Sequence, residues 1–138
     1  MSVRPARFPY VVIDPSVGSA SAMPYLPLSL TLGGPAVSVS GLVDSGATLN
    51  VLPHSLGLQL GADWDALATS VRLTGNMAGI EARVMVATAT VAPFAPARLA
   101  FAWAATDGMP LLLGQVNFFQ EFDVCFFRSQ TAFEVKPR

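Results

Sequence analysis

The strongest constraint on this chain is a run of alternating leucines set among closely spaced prolines and glycines. Leu26, Leu28, Leu30 and Leu32 recur at every second position, the spacing of a strand with one buried face. They lie inside an uncharged stretch, residues 15–43, long enough on paper to cross a bilayer. Pro15, Pro24, Pro27 and Pro35 interrupt that stretch, as do Gly18, Gly33, Gly34 and Gly41. In lipid a helix so interrupted would leave backbone groups unpaired, so a transmembrane helix is rejected and strands between turns remain.

The rest of the chain reads the same way. Gly33-Gly34-Pro35 turns between strands at 25–32 and 37–43. A short strand at 50–52 precedes a short helix over 53–60, with Pro53 near its start and Gly61 past its end. Strands at 71–74 and 80–91 flank a glycine-bounded hairpin. Ala97, Leu99, Phe101 and Trp103 alternate as another strand. Leu111-Leu112-Leu113 follows Pro110 and ends at Gly114. Residues 115–122 make a helical turn or two, and 123–128 with 131–135 form a closing hairpin. Many short strands and few helices predict a mainly β domain, a barrel or a sandwich. Residues 1–24 read as an arm with one strand at 8–13, and residues 25–138 as the domain proper.

Composition narrows the function. The 138 residues fit one domain with a real core. Eight Lys and Arg, scattered, face nine Asp and Glu, which leaves no electrostatic footprint for nucleic acid. A single cysteine, Cys125, excludes an internal disulfide, and a single histidine, His54, excludes a Cys/His zinc cluster. No metal and no cofactor is expected, although counting does not exclude an Asp/Glu cation site. Residues 1–10 carry Arg4 and Arg7 without an apolar block and small-residue cleavage site after them, so a cytoplasmic location is expected.

The informative segment runs Leu42-Val43-Asp44-Ser45-Gly46-Ala47-Thr48-Leu49-Asn50-Val51-Leu52. Taken alone, Asp-Ser-Gly is a common turn with the aspartate as turn former. The apolar flanks give a second reading, a carboxylate at a strand end in a partly dry place. Leu111-Leu112-Leu113-Gly114-Gln115, followed by Phe118, Phe119 and Phe122, adds a buried strand, a glycine and an apolar helix.

With both segments the chain resembles the retroviral-type (retropepsin-like) aspartic proteases over about residues 25–136. Gln115 stands where many retroviral members carry Arg, and the arm before Tyr25 is longer, which points to a bacterial or other cellular member. The resemblance implies a small closed β-barrel with one or two short helices. It implies Asp44 as the catalytic residue, Ser45 and Gly46 as its support, and Ala47 and Thr48 along the substrate cleft. Gly75, Asn76, Met77, Ala78 and Gly79 would form the flap, with the glycines as hinges. Only one such Asp motif is present, so a homodimer is implied, with Asp44 of each copy sharing one proton. The activity implied is endopeptidase hydrolysis of a peptide or protein by an activated water. Terminal strands interleave in retroviral enzymes, so the closing strand is expected to act as an exposed edge in dimerisation.

Two other readings compete. The same fold could serve as a non-catalytic dimerisation or peptide-binding module, or as a small-ligand barrel with an apolar cavity away from Asp44. Of the remaining residues, His54 reads as a surface or partly packed side chain and Cys125 as a small core residue. The phenylalanines and Trp64 and Trp103 read as core or interface. Asp63 and Asp65 read as solvent-facing.

Overall fold

The computed structural model describes residues 3–138. Met1 and Ser2, the first residues of the expected arm, lie outside the described residues. In chain order the strands are β1 (Ala6–Pro9), β2 (Val11–Val12), β3 (Ala22–Met23), β4 (Tyr25–Thr31), β5 (Val37–Val43), β6 (Asn50–Leu52), β7 (Ser70–Arg72), β8 (Glu81–Thr90), β9 (Ala97–Ala104), β10 (Leu112–Leu113), β11 (Phe122–Phe127) and β12 (Ala132–Pro137). Helix α1 (His54–Gln59) follows β6, and α2 (Phe118–Glu121) precedes β11.

The large sheet runs β4-β5-β10-β6-β9-β8-β7, and β4 also pairs with β8, through Ser29↔Thr90, Leu30↔Ala89 and Thr31↔Thr88. Those extra pairs close six strands into a barrel, with β7 hanging from β8 outside the ring. Closure removes the free edges that an open sheet of this size would carry. The expected mainly β barrel with short helices is what the chain forms. No described helix is long and apolar enough to cross a membrane.

Leu26, Leu28 and Leu30 all point into the barrel and are buried. Burying each contributes about 1.5–3 kcal/mol, more than the roughly 1 kcal/mol net of one ladder hydrogen bond, so the leucines decide the register. Leu32 falls outside the pattern and is exposed. The strand ends at Thr31, whose hydroxyl accepts the Gly33 N–H at 3.0 Å and donates to the Gly34 carbonyl at 2.8 Å.

Several strands are buried on both faces. One face of β9 sends Leu99, Phe101 and Trp103 into the barrel core, while Ala102 and Ala104 join a second cluster with Val51, Leu73, Ala82 and Leu112. Strand β10 divides likewise, Leu113 to the core and Leu112 to the second cluster. This two-sided burial explains the continuous apolar run at 111–113, which has no alternation to read.

Helix α1 is pinned on β9. The Trp103 indole lies against Gly57, leaving no room for a Cβ there, and its Nε1 donates to the His54 carbonyl at 3.0 Å. His54 stacks on Trp103 with ring centroids 5.3 Å apart and meets Trp64 edge-on at 5.5 Å. Its ring is partly packed, one of the two placements the sequence leaves open. Asp63 and Asp65 are exposed.

The terminal strands overturn three expectations. Its order is β1-β12-β11, so the closing strand is central, not an edge. The arm supplies β1, paired Ala6↔Val135 through Pro9↔Ala132, with Phe8 stacked on Phe133 at 5.6 Å. The expected strand at 8–13 is therefore two short ones, broken at Tyr10, the second pairing with β3. Cys125 is exposed rather than core. In β11 the inward positions are Phe122 and Val124, and period-two alternation turns Cys125 outward.

The expected helix over 115–122 shrinks to Phe118–Glu121. The N–H groups of Gln115 and Val116 are already spent on the Ala47 and Thr48 carbonyls, each at 2.9 Å, which ties that stretch to the arch as a turn and an isolated bridge.

Asp107 fastens the start of α1, its Oδ1 accepting the Ser55 N–H at 2.7 Å. That backbone hydrogen bond, with a second from the Ser55 side chain and a weak pull from His54, holds the Asp107 carboxyl below its ordinary value against a small opposing effect of burial. A depressed folded value means the anchor stabilises above about pH 4 and fades as pH falls through the folded value. Asp107→Asn should lower Tm at neutral pH, and the gap to wild type should narrow as pH falls below the ordinary carboxyl range. A gap that stays the same size across the acid range would show that the charge is irrelevant.

Candidate active site

Strand β10 lies between the strand that precedes Asp44 and the strand that follows it. It runs parallel to β5, with Leu112↔Leu42 and Leu113↔Val43, and antiparallel to β6, with Leu112↔Val51. The loop from Asp44 to Leu49 must therefore arch over the end of β10. The Asp44 N–H donates to the Leu113 carbonyl at 3.0 Å, and the Gln115 and Val116 N–H groups reach back to the arch.

Gly114 sits directly beneath the arch. A Cβ there would stand 2.5 Å from the Leu49 carbonyl oxygen and 2.7 Å from that of Ala47. These are backbone atoms that no rotamer change can move, so the crossing demands glycine.

Asn50 is fully buried. Its Oδ1 accepts the Gly114 N–H at 2.8 Å, and its Nδ2 donates to the Ala100 carbonyl at 2.9 Å and to Asn117 Oδ1 at 3.2 Å. Asn117 in turn spans β9, accepting the Ala100 N–H at 2.9 Å and donating to the Arg98 carbonyl at 3.0 Å. Sequence reasoning passed over both asparagines. The available signal was an amide side chain inside the apolar run 49–52, which must find partners once buried.

Asp44 is half-buried, and its Oδ1 accepts the Gly46 N–H at 2.9 Å. This bond lies within the turn, and among the described residues no side chain or backbone group bonds Oδ2. Ser45 is exposed at the loop apex, and its carbonyl accepts Gln115 Nε2 at 2.8 Å. Gln115 thus ties the loop through a neutral amide where an arginine would offer an ion pair.

Asp44 opens onto a cleft of about 580 Å³. Gly46, Ala47 and Thr48 share its wall, Val51 and Leu112 lie deep in it, and Met109 and Pro110 border it. Opposite stands the hairpin joining β7 to β8, which contributes Gly75, Asn76 and Met77. Ala78 and Gly79 do not line this cleft but a smaller hollow of about 380 Å³ with β7 and β8. Gly75 and Gly79 both have positive φ, 65° and 88°, which L side chains resist. Ser45 lies outside both hollows. Among the described residues no three His, Cys, Asp or Glu side chains group to hold a metal.

The family model for aspartyl proteases matches residues 28–116, a span that includes Asp44, the hairpin and Gly114. The chain belongs to the aspartyl protease family. A search of curated protein sequences finds no match. Among solved structures, the chain is similar to the crystal structure of a retropepsin-like aspartic protease from Rickettsia conorii, with a TM-score of 0.64 and 14% identity over 98% of this chain and 100% of that one. At that identity the likeness is one of fold, and the fold is retropepsin-like. Family and fold together support aspartic protease activity.

The crossing generates a direct test. Gly114→Ala should cost about 3 kcal/mol or more in chemical denaturation, because the clash is with backbone. A loss under about 1 kcal/mol would mean that the arch can lift freely.

Proposed function

We propose that the chain is an aspartic endopeptidase whose active site is completed by a second copy of itself. The observation that carries this reading is a single carboxylate in an open cleft. Asp44 is the one acidic side chain lining it. Asp107 is engaged with α1, and Asp123 lies exposed on β11. A water-activating pair needs a second carboxylate, and a two-fold axis beside Asp44 would bring the same residue from another chain.

In that assembly one Asp44 carboxylate takes a proton from a bound water as it attacks the peptide carbonyl. The other, protonated, polarises that carbonyl and assists the leaving amine. The Gly46 N–H keeps Asp44 Oδ1 occupied, so the free oxygen faces the reaction. Ala47 and Thr48 offer main-chain groups to an extended peptide, and Gly75, Asn76 and Met77 cover it from the other side. Ser45, exposed at the apex, is available to the partner copy. Gly79 acts at the base of the hairpin as a hinge, with Ala78 beside it, rather than as a cleft wall.

Strand β12 cannot interleave with a partner while β1 and β11 occupy both its sides. The contact between copies is therefore proposed around the Asp44 loop, not through an exchanged terminal strand.

Asp44→Asn should reduce peptide cleavage by about a thousandfold or more while leaving circular dichroism and Tm nearly unchanged. Mixing equal amounts of this variant with wild type should leave about half the activity per wild-type chain, since mixed pairs are dead. Cleavage that survives the substitution would remove Asp44 as the catalyst. Activity indifferent to mixing would remove the shared site.

A further inference from the structure

Asn50 does more than fill a buried position. The Gly114 N–H that it binds and the Leu113 carbonyl that binds the Asp44 N–H belong to one peptide group. A peptide group is planar and stiff. Its oxygen faces Asp44 and its N–H faces Asn50, so the orientation of that plane is set from both sides at once. Asn50 is fully satisfied, with one acceptor and two donor bonds, and only one placement of its amide fits. Oδ1 must meet the Gly114 N–H because Nδ2 meets the Ala100 carbonyl.

We propose that Asn50 is a positioning residue for Asp44. It holds the Leu113–Gly114 peptide, and that peptide holds the Asp44 main chain. Asn117 braces Asn50 from β9, so the position of the carboxylate is referred to the barrel wall rather than to its own loop. Hydrogen bonds in such a chain polarise one another, and a bond lost at Asn50 weakens the one at Asp44. The inference rests on the proposed reading of Asp44 as the catalyst, but its structural half is measurable without catalysis.

The test compares wild type, Asn50→Leu and Asn50→Asp in the full chain. Asn50→Leu should lower kcat per folded chain by about tenfold or more with KM nearly unchanged, because a small misplacement of a reacting group is costly while the cleft walls remain. In proton–nitrogen NMR its Asp44 and Gly114 amide signals should both move. Asn50→Asp keeps the acceptor for Gly114. Its new carboxyl, when protonated, also donates, and when ionised it faces the Ala100 carbonyl. This variant should approach wild-type kcat at acid pH and fall behind as pH rises, a pH profile that mere loss of stability in the folded fraction would not produce.

Wild-type kcat per folded chain in Asn50→Leu, or an unmoved Asp44 amide signal, would overturn the positioning role. Should Asn50→Leu fail to fold, the pH profile and the Asp44 amide signal of Asn50→Asp decide alone. If Asp44→Asn retained cleavage while the Asp44 amide still moved in Asn50→Leu, the coupling would stand and the catalytic reading would fall.

Discussion

One peptide group, between Leu113 and Gly114, carries the architecture of the site. It lies where β10 passes between β5 and β6 and beneath the loop that joins them. Its oxygen takes the Asp44 N–H, and its N–H goes to Asn50. Everything around it follows from that crossing. Gly114 has no side chain because the carbonyls of Ala47 and Leu49 stand overhead. Gln115 and Val116 stay outside α2, their N–H groups claimed by the same arch. A buried polar group without partners costs about 1–3 kcal/mol, so each of these bonds is expensive to leave unmade and the arrangement holds as a unit.

The cleft depends on strands with two apolar faces. Bulky side chains, Phe101 and Trp103, turn into the barrel, while alanines at 82, 102 and 104 face the other cluster. Val51 and Leu112, from the same cluster, reach the cleft itself. Leu73, Met77 and Ile80 from the hairpin pack on the same cluster. The cleft is thus lined on the hairpin side by Leu73, Met77 and Ile80 together with Arg72, Thr74 and Asn76, and Asp44 is the one acid among its described lining residues.

The parts that were legible in the sequence are those written in residue type. Alternating leucines mark β4, and the Asp44-Ser45-Gly46 turn with its apolar flanks and the Leu111–Leu113 run ending at Gly114 mark the crossing. Glycine there is a steric requirement, so it leaves a visible sign. The parts that were not legible depend on distant pairing. Asn50 and Gly114 are 64 residues apart, so the apolar run around Asn50 marks a buried amide but does not name its partner. The terminal sheet joins Arg7 to Glu134, a register that no short window can contain. Cys125 sits in a run, 124–127, that reads as core because it is apolar, yet a strand with one buried face must turn every second residue out.

The terminal sheet has one more implication. Each chain completes its last strand with its own first one, so nothing has to be swapped for two copies to meet. Under the two-chain reading, half-sites come together as finished pieces, and hydrolysis at scarcity scales with the square of chain abundance. Dilution then silences such an enzyme, and gathering copies at one location switches it on, with no covalent change to the polypeptide.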